Sequence, residues 1–178
     1  MLNWLKALFK GEKKMDYDTI YKRLEQHEGF KSKKYLCSEN RWTIGIGHNL
    51  EARSFTEEEK KALGDWENGI TRNGAFMLLR NDVEICLKDL KTLPYWKSLD
   101  DDRQYALIDM CFQLGFKGLK KFKNMLKGFE QGDFITASKE CINSKYGRQT
   151  PTRAKRIAVL IRYKKWVEYP KDLERIEI

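Results

Sequence analysis

The stretch EGFKSKKYLCSENRWTIGIGH, Glu28 to His48, decides how the rest of the chain is read. It sets a carboxylate, a thiol and a hydroxyl at fixed separations: Glu28, eight residues, Cys37, five residues, Thr43, and then a Gly45-Ile46-Gly47 turn before His48. Ahead of it, Tyr17, Ile20, Tyr21 and Leu24 recur at steps of three and four residues, the apolar stripe of an amphipathic helix, and the same stripe reaches Glu28. Gly29 can adopt the left-handed conformation that closes a helix, so the Glu28 carboxyl projects from a helix end, partly desolvated. Desolvation favours the protonated form that a general acid needs. The alternative is a cap or an ion pair with Lys31, Lys33 or Lys34.

Behind Glu28 comes a hairpin. Lys34-Tyr35-Leu36-Cys37 and Arg41-Trp42-Thr43-Ile44 are short alternating runs rich in aromatic and β-branched residues, joined by the turn-forming Ser38-Glu39-Asn40. Cys37 and Leu36 face opposite sides. Gly45 and Gly47 allow a sharp turn or a close backbone approach. A single strand Cys is ordinarily a small buried hydrophobe, so the spacing carries the signal and not the individual residues.

The E-x8-C-x5-T spacing followed by IGIGH resembles the catalytic signature of the phage-type (T4-lysozyme-like) lysozymes, a family of peptidoglycan-cleaving glycoside hydrolases whose middle residue is usually Asp. The resemblance continues in order through DVEICLKDL (82–90), SLDDDRQYALIDMCFQLG (98–115) and QTPTRAKR (149–156), covering roughly residues 17 to 169. It implies that Glu28 protonates the glycosidic oxygen, that Thr43 positions a water or a sugar on the opposite face, and that Cys37 stands where the family has its aspartate. A carboxylate there is ionised at neutral pH, whereas an unperturbed thiol with a pKa of ~8.5 is mostly neutral. Lys33, Lys34 or Arg41 could favour a thiolate acting as base or nucleophile. Glu39 could instead serve as the second carboxylate if the turn folds it inward.

The same resemblance places Asn49, Phe112, Gln113, Met125 and Glu140 at substrate-contact positions, with Asn49, Met125 and Glu140 differing in type from the family's usual residues. Phe112 could pack on a sugar face while Gln113 hydrogen-bonds it; the alternative is a helix core residue beside an exposed neighbour. His48 is expected to pair with Asp82. His27 replaces an acidic residue of some relatives, so an ion pair from that position to Arg153 is expected to be missing.

The whole chain has 178 residues, 41% hydrophobic and 34% charged, enough for a packed core, with no apolar run approaching the roughly 18 residues that span a membrane. Its start, MLNWLKALFK, lacks a basic n-region and a small-residue cleavage site, so no secretory signal is expected. Leu2, Trp4, Leu5, Leu8 and Phe9 mark a short amphipathic helix ended near Gly11, within an N-terminal extension over residues 1–15, docking on the fold, on a partner or on a membrane. Cys37, Cys86, Cys111 and Cys141 form no CxxC pair and no metal-ligand spacing with His27 or His48, so they read as free thiols in a reducing compartment, the last three on apolar helical stripes.

Residues 16–178 read as a single α+β, mostly helical, two-lobed lysozyme-like domain: a small hairpin lobe over 16–70, a connecting helix over 71–90 begun by Thr71, and a helical lobe over 91–178. Ser54 to Glu57 offers a capping box before a short helix ending near Gly64. Later helices are expected over 101–114 ended by Gly115, 119–127 ended by Gly128, 134–142, and from Pro151 to about Glu168. A cleft between the lobes is where a ligand site belongs.

The net charge of +9, with Arg148, Arg153, Lys155, Arg156, Arg162, Lys164 and Lys165 grouped late, points to an anionic partner: the wall, or an anionic membrane surface met by the N-terminal or C-terminal basic helix. No nucleic-acid-binding motif accompanies it. The leading expectation is a monomeric, cofactor-free endolysin that hydrolyses the β-1,4 bond between N-acetylmuramic acid and N-acetylglucosamine. It would accumulate in the host cytoplasm and meet the wall after the membrane is permeabilised, or ride on the virion. A lytic transglycosylase acting on the same bond, and a catalytically decayed wall-binding or membrane-active protein, are the alternatives.

Overall fold

A computed structural model describes residues 16–37 and 40–178, so the N-terminal amphipathic segment and Glu39 lie outside the described residues. Helix α1 (Tyr17–Glu28) starts on Asp16, whose side chain accepts from the Thr19 N–H, and buries Ile20 and Leu24. It ends at Gly29, where φ is 68° as a glycine permits but ψ is 178°. The backbone is therefore extended there, not left-handed helical, and runs directly into the sheet.

Strand β1 (Lys31–Leu36) pairs antiparallel with β2 (Trp42–Gly45), and β2 with β3 (His48–Asn49), in the order β1-β2-β3. Tyr35 lies opposite Thr43, and Leu36 opposite Trp42, which puts Tyr35 and Thr43 on one face and the exposed Leu36–Trp42 pair on the other. The short third strand is absent from the sequence expectation. It exists because Gly45 and Gly47, with φ of 69° and 72°, reverse the chain at once.

Helix α2 (Glu57–Leu63) is capped by Thr56 in a capping box with Glu59, two residues later than the Ser54–Glu57 pairing expected. The shift has a tertiary cause: Glu59 is buried to receive Arg53 and Asn81. Helix α3 (Arg72–Leu90) begins on Thr71 as expected and buries Ala75, Leu78, Leu79, Val83, Cys86, Leu87 and Leu90, packing against β2 and α1 near its start and against α4.

Helix α4 (Asp101–Leu119) is broken at Gly115 (φ 68°, ψ 159°), the residue expected to end it. Helix α5 (Lys123–Gln131) departs from the expected 119–127 span: it runs through Gly128 and ends at Gly132, which is left-handed at φ 71° and ψ 12°. Gly128 is needed for packing, since a Cβ there would lie 2.8 Å from the Asp133 carbonyl oxygen and 3.0 Å from the Ala137 Cβ. Helix α6 (Phe134–Ile142) follows on the Asp133 cap, and α7 (Lys145–Gln149), which the sequence did not suggest, is capped by Ser144.

Helix α8 (Pro151–Tyr163) starts at Pro151 but stops five residues before Glu168, at a left-handed Lys164. The Arg156 side chain explains the early stop. Its Nε donates to the Val167 carbonyl at 2.7 Å and its Nη2 to the Glu168 carbonyl at 3.1 Å, drawing the chain back along the helix before α9 (Pro170–Leu173).

The result is α+β and mostly helical, with a small sheet-bearing lobe and a larger helical one. One buried apolar cluster joins them, from Ile20, Leu24 and Ile44 through Leu78 and Leu107 to Ile157 and Leu160. All four cysteines are free thiols; Cys86, Cys111 and Cys141 are buried and Cys37 is half-buried. Among the described residues no helix is long and apolar enough to cross a membrane.

Candidate active site

Because α1 ends at Glu28, the carboxyl group is delivered to the seam where the sheet meets the helical lobe. The backbone of Gly47 comes so close that a Cβ there would lie 2.9 Å from Glu28 Cγ and 3.0 Å from its Oε2. On the other side Arg153 Nη1 donates to Glu28 Oε1 at 2.6 Å. Two of the lysines considered as partners lie elsewhere: Lys31 over the Tyr35 ring and Lys34 over Trp42. The Glu28 side chain remains 19% exposed, enough to meet a ligand.

It does so in a cavity of about 470 Å³ lined by Tyr35, Cys37, Arg41, Thr43, Asn49, Phe112 and Gln113 together with Glu28. Six of the eight expected site residues thus share one wall system. Strand alternation aims Tyr35 and Cys37 the same way, and burial followed by the negative charges of Glu28 and Cys37 pushes the Tyr35 phenol up from its ordinary pKa. Tyr35 was missed in the sequence, although its two-residue offset from Cys37 was the available signal.

Thr43 Oγ1 donates to the Arg41 carbonyl at 3.1 Å, leaving its lone pairs to accept from a water or a sugar hydroxyl. Asn49 is less free than expected. Its Oδ1 accepts from the backbone N–H groups of Glu51 and Ala52, both at 3.0 Å, so only its NH₂ can serve a ligand. Arg41 is the cation in the wall beside Cys37, whereas Lys34 sits on the opposite face of the hairpin with Trp42.

Met125 and Glu140 do not enter this cavity. They line an adjoining one of about 590 Å³, connected through Leu114, Tyr146 and Gln149. Met125 is fully buried and supplies an apolar floor, while Glu140 accepts from Asn124 at 3.3 Å. Tyr146 lines both cavities and buries its hydroxyl without a hydrogen-bond partner.

Beneath Glu28 lies a charge network that the sequence disclosed only in part. Arg153 Nε donates to Asp109 Oδ1 at 2.8 Å, and Asp109 Oδ2 also receives Tyr105 at 3.0 Å and His27 Nδ1 at 2.8 Å. His27 indeed makes no ion pair with Arg153; Asp109 takes that role. Arg156 Nη1 lies 2.7 Å from His27 Nε2 and can only donate, so Nε2 accepts and Nδ1 carries the proton given to Asp109. Burial pushes the Asp109 carboxyl up, but Arg153 and His27 outweigh it and hold the group well below the usual carboxylate range. Burial alone would lower the Arg153 pKa, yet Asp109 and Glu28 raise it. An Asp inside the apolar run ALIDMCF was the one available hint.

On the far side of the hairpin His48 Nδ1 meets Asp82 Oδ2 at 2.7 Å, as expected, with Arg53 bridging Asp82 and Glu59. His48 stacks on Phe55 and does not line the cavity, which makes it structural. No group of three or more His, Cys, Asp or Glu with metal-binding geometry occurs among the described residues.

The phage lysozyme family model matches residues 25–163. The chain is similar to the Probable T4-type lysozyme 1 of Dictyostelium discoideum, 33% identical over 158 residues, 80% of this chain and 93% of that protein. It is 30% identical over 149 residues to the Probable T4-type lysozyme 2 of the same organism, 75% of this chain and 88% of that one. It is also similar, at 33% identity over 152 residues, to the Pre-baseplate central spike protein Gp5 of Enterobacteria phage T4, 78% of this chain but 26% of that longer protein.

Proposed function

Because the chain belongs to the phage lysozyme family and is a glycoside hydrolase of the lysozyme type with peptidoglycan as its substrate class, we propose that it hydrolyses the β-1,4 bond between N-acetylmuramic acid and N-acetylglucosamine, with Glu28 as general acid. The observation that carries this reading is the convergence of Glu28, Cys37 and Thr43, from a helix end, the residue after β1 and strand β2, on one cavity between the lobes.

In this mechanism the Glu28 carboxyl gives its proton to the glycosidic oxygen as the bond to the anomeric carbon breaks, and the Glu28 carboxylate remains. Positive charge develops on the sugar ring. Cys37, in its thiolate form with Arg41 in the same wall, takes a proton from a water held by Thr43 Oγ1, and the resulting hydroxide completes hydrolysis at the anomeric carbon. Phe112 offers an apolar face to a sugar ring and Gln113 a hydrogen-bonding amide. The adjoining cavity with Met125 and Glu140 extends the groove for further sugars or the peptide branch.

The biological reading that accompanies this chemistry is late lysis of an infected bacterium by a monomeric enzyme reaching the wall from the cytoplasm once the membrane is breached. The likeness to a phage spike protein supports a second reading, a virion-borne lysin, which mass spectrometry of purified particles would test.

The deciding experiment compares wild type and Glu28→Gln on purified peptidoglycan, with products weighed. Loss of at least about 100-fold in rate with an unchanged fold, and wild-type products carrying one added water per cleavage, is the expected result. Anhydro products, lighter by one water, would assign the transglycosylase reaction instead. Undiminished activity in Glu28→Gln would remove Glu28 from the chemistry altogether.

A further inference from the structure

A buried acid that the reaction does not consume sits directly under the site. Asp109 is fully buried, 82 residues from His27 in sequence, and accepts at short range from three side chains on three helices. We propose that Asp109 is a positioning residue for Glu28: by occupying one edge of the Arg153 guanidinium it limits Arg153 to a single contact with Glu28 and leaves the other Glu28 oxygen free to carry the catalytic proton. This rests on the reading of Glu28 as the acid.

The geometry runs as a chain. Arg153 spends its Nε on Asp109 Oδ1 at 2.8 Å and its Nη2 on the Asp109 carbonyl at 3.5 Å, so Nη1 alone reaches Glu28 Oε1, at 2.6 Å. A guanidinium without that restraint presents a two-pronged fork to a carboxylate and binds both oxygens, which favours the ionised carboxylate. Here Oε2 is turned instead toward the Gly47 backbone, and Glu28 and Gly47 both line the cavity. Asp109 is itself held by Tyr105 and by His27, whose ring is oriented by Arg156. Each group in the relay fixes the next.

Charge follows the same division. One guanidinium serves two carboxylates, so its field on Glu28 is shared; replacing Asp109 by a neutral residue leaves it undivided. The groups facing this pair from neighbouring elements are Tyr35 and Cys37 on the hairpin, Tyr146 on α7, Arg156 on α8, His27 on α1, and Tyr105 and Cys141 on α4 and α6. Arg41 shares the cavity wall with Glu28, and Glu168 lines a neighbouring hollow with Glu28, Arg153 and Arg156. Among the described residues Asp109 is the carboxylate that hydrogen-bonds the same guanidinium as Glu28.

The test uses the full chain, with thermal unfolding and near-UV circular dichroism to establish folding, and kcat, KM and pH profiles on solubilised glycan strands. Asp109→Asn keeps shape and removes charge. Its expected outcome is a fall in kcat of about 100-fold with KM within about twofold, and an alkaline limb displaced to lower pH by about one unit. A folded Asp109→Asn enzyme with wild-type kcat and an unmoved limb overturns the proposal. Should the single variant not fold, the decision passes to His27→Asp with Asp109→Asn, which returns a carboxylate to the cluster from the position 2.8 Å away. Recovery of kcat and of the limb supports the proposal; a folded double variant whose kcat stays down overturns it. Glu28→Gln runs alongside. Activity in that variant sinks the acid assignment, whereas its inactivity beside a normal Asp109→Asn sinks only the inference about Asp109.

Discussion

The carboxyl group of Glu28 occupies the space that a Cβ on Gly47 would need, with contacts of 2.9 to 3.0 Å to Cγ, Cδ and Oε2. A methyl group there has nowhere to go, and at φ 72° the backbone is itself unfavourable for alanine. Gly47→Ala is therefore expected to lose about 1–3 kcal/mol of stability, and to lose kcat by about 100-fold because the acid is displaced. Urea unfolding and turnover on the same preparation separate the two effects. A variant that loses stability but keeps kcat would show that Glu28 tolerates movement.

Two variants define the work proposed for Cys37. Cys37→Asp is expected to be active and Cys37→Ser to fall by about 100-fold, within the usual range for loss of a catalytic base. Full activity in Cys37→Ser would make the thiol dispensable.

Reactivity should separate the four thiols. Cys37 is half-buried in an open cavity, whereas the other three are buried, with burial pushing Cys141 up to about 12. Mixing the native protein with a disulfide reagent is expected to label one thiol rapidly and the rest only after denaturant is added. Mapping the first adduct to any residue other than Cys37 would contradict the placement.

Glu59 ties the small lobe together and should make its stability acid-sensitive. Burial pushes its carboxyl up, but hydrogen bonds from Arg53, Asn81 and the Thr56 backbone outweigh that and lower it from 4.5 to about 2. A carboxyl depressed on folding stabilises fully above its unfolded pKa, and that contribution drains away as pH falls through 4.5 toward 2. Glu59→Gln is expected to be less stable than wild type by roughly 2–3 kcal/mol at pH 7, with the gap closing near pH 2. A pH-independent gap would point to packing instead.

Gly128 sits where α5 and α6 touch, and Gly128→Ala pushes a methyl group against the Asp133 carbonyl oxygen at 2.8 Å. The expected cost is about 1–3 kcal/mol, seen as a lower Tm. Activity at room temperature should stay near wild type, because Gly128 lines neither cavity. Unchanged Tm would mean that the two helices slide apart without penalty.

Local rules carried much of this architecture into the sequence. The Tyr17 to Leu24 stripe, the Thr71 cap, Pro151 at a helix start and the alternation around Cys37 are short-range signals, and the elements they mark are present, although the first strand runs over Lys31–Leu36 and leaves Cys37 just past its end. Failures occur where a distant partner decides. Glycine at 128 reads as a stop because packing against Ala137 is invisible along the chain, and α8 ends early because Arg156 pulls on Val167 and Glu168. The role of Asp109 could not be read along the chain, since two of its three partners, His27 and Arg153, come from the distant α1 and α8. The Glu28–Cys37–Thr43 spacing brought its members to one cavity, but Arg153, the residue that touches Glu28, enters from 125 positions away.

That separation governs when the enzyme first becomes competent. Translation at about 5–20 residues per second spends roughly 6–25 s between making Glu28 and making Arg153, and the carbonyls of Val167 and Glu168 that hold Arg156 emerge later still. Until then the nascent chain presents a carboxylate with no guanidinium and a relay with no far end. The surroundings of Glu28 are therefore assembled from both ends of the fold, and the contact that fixes its carboxyl group cannot form while only the small lobe has been made.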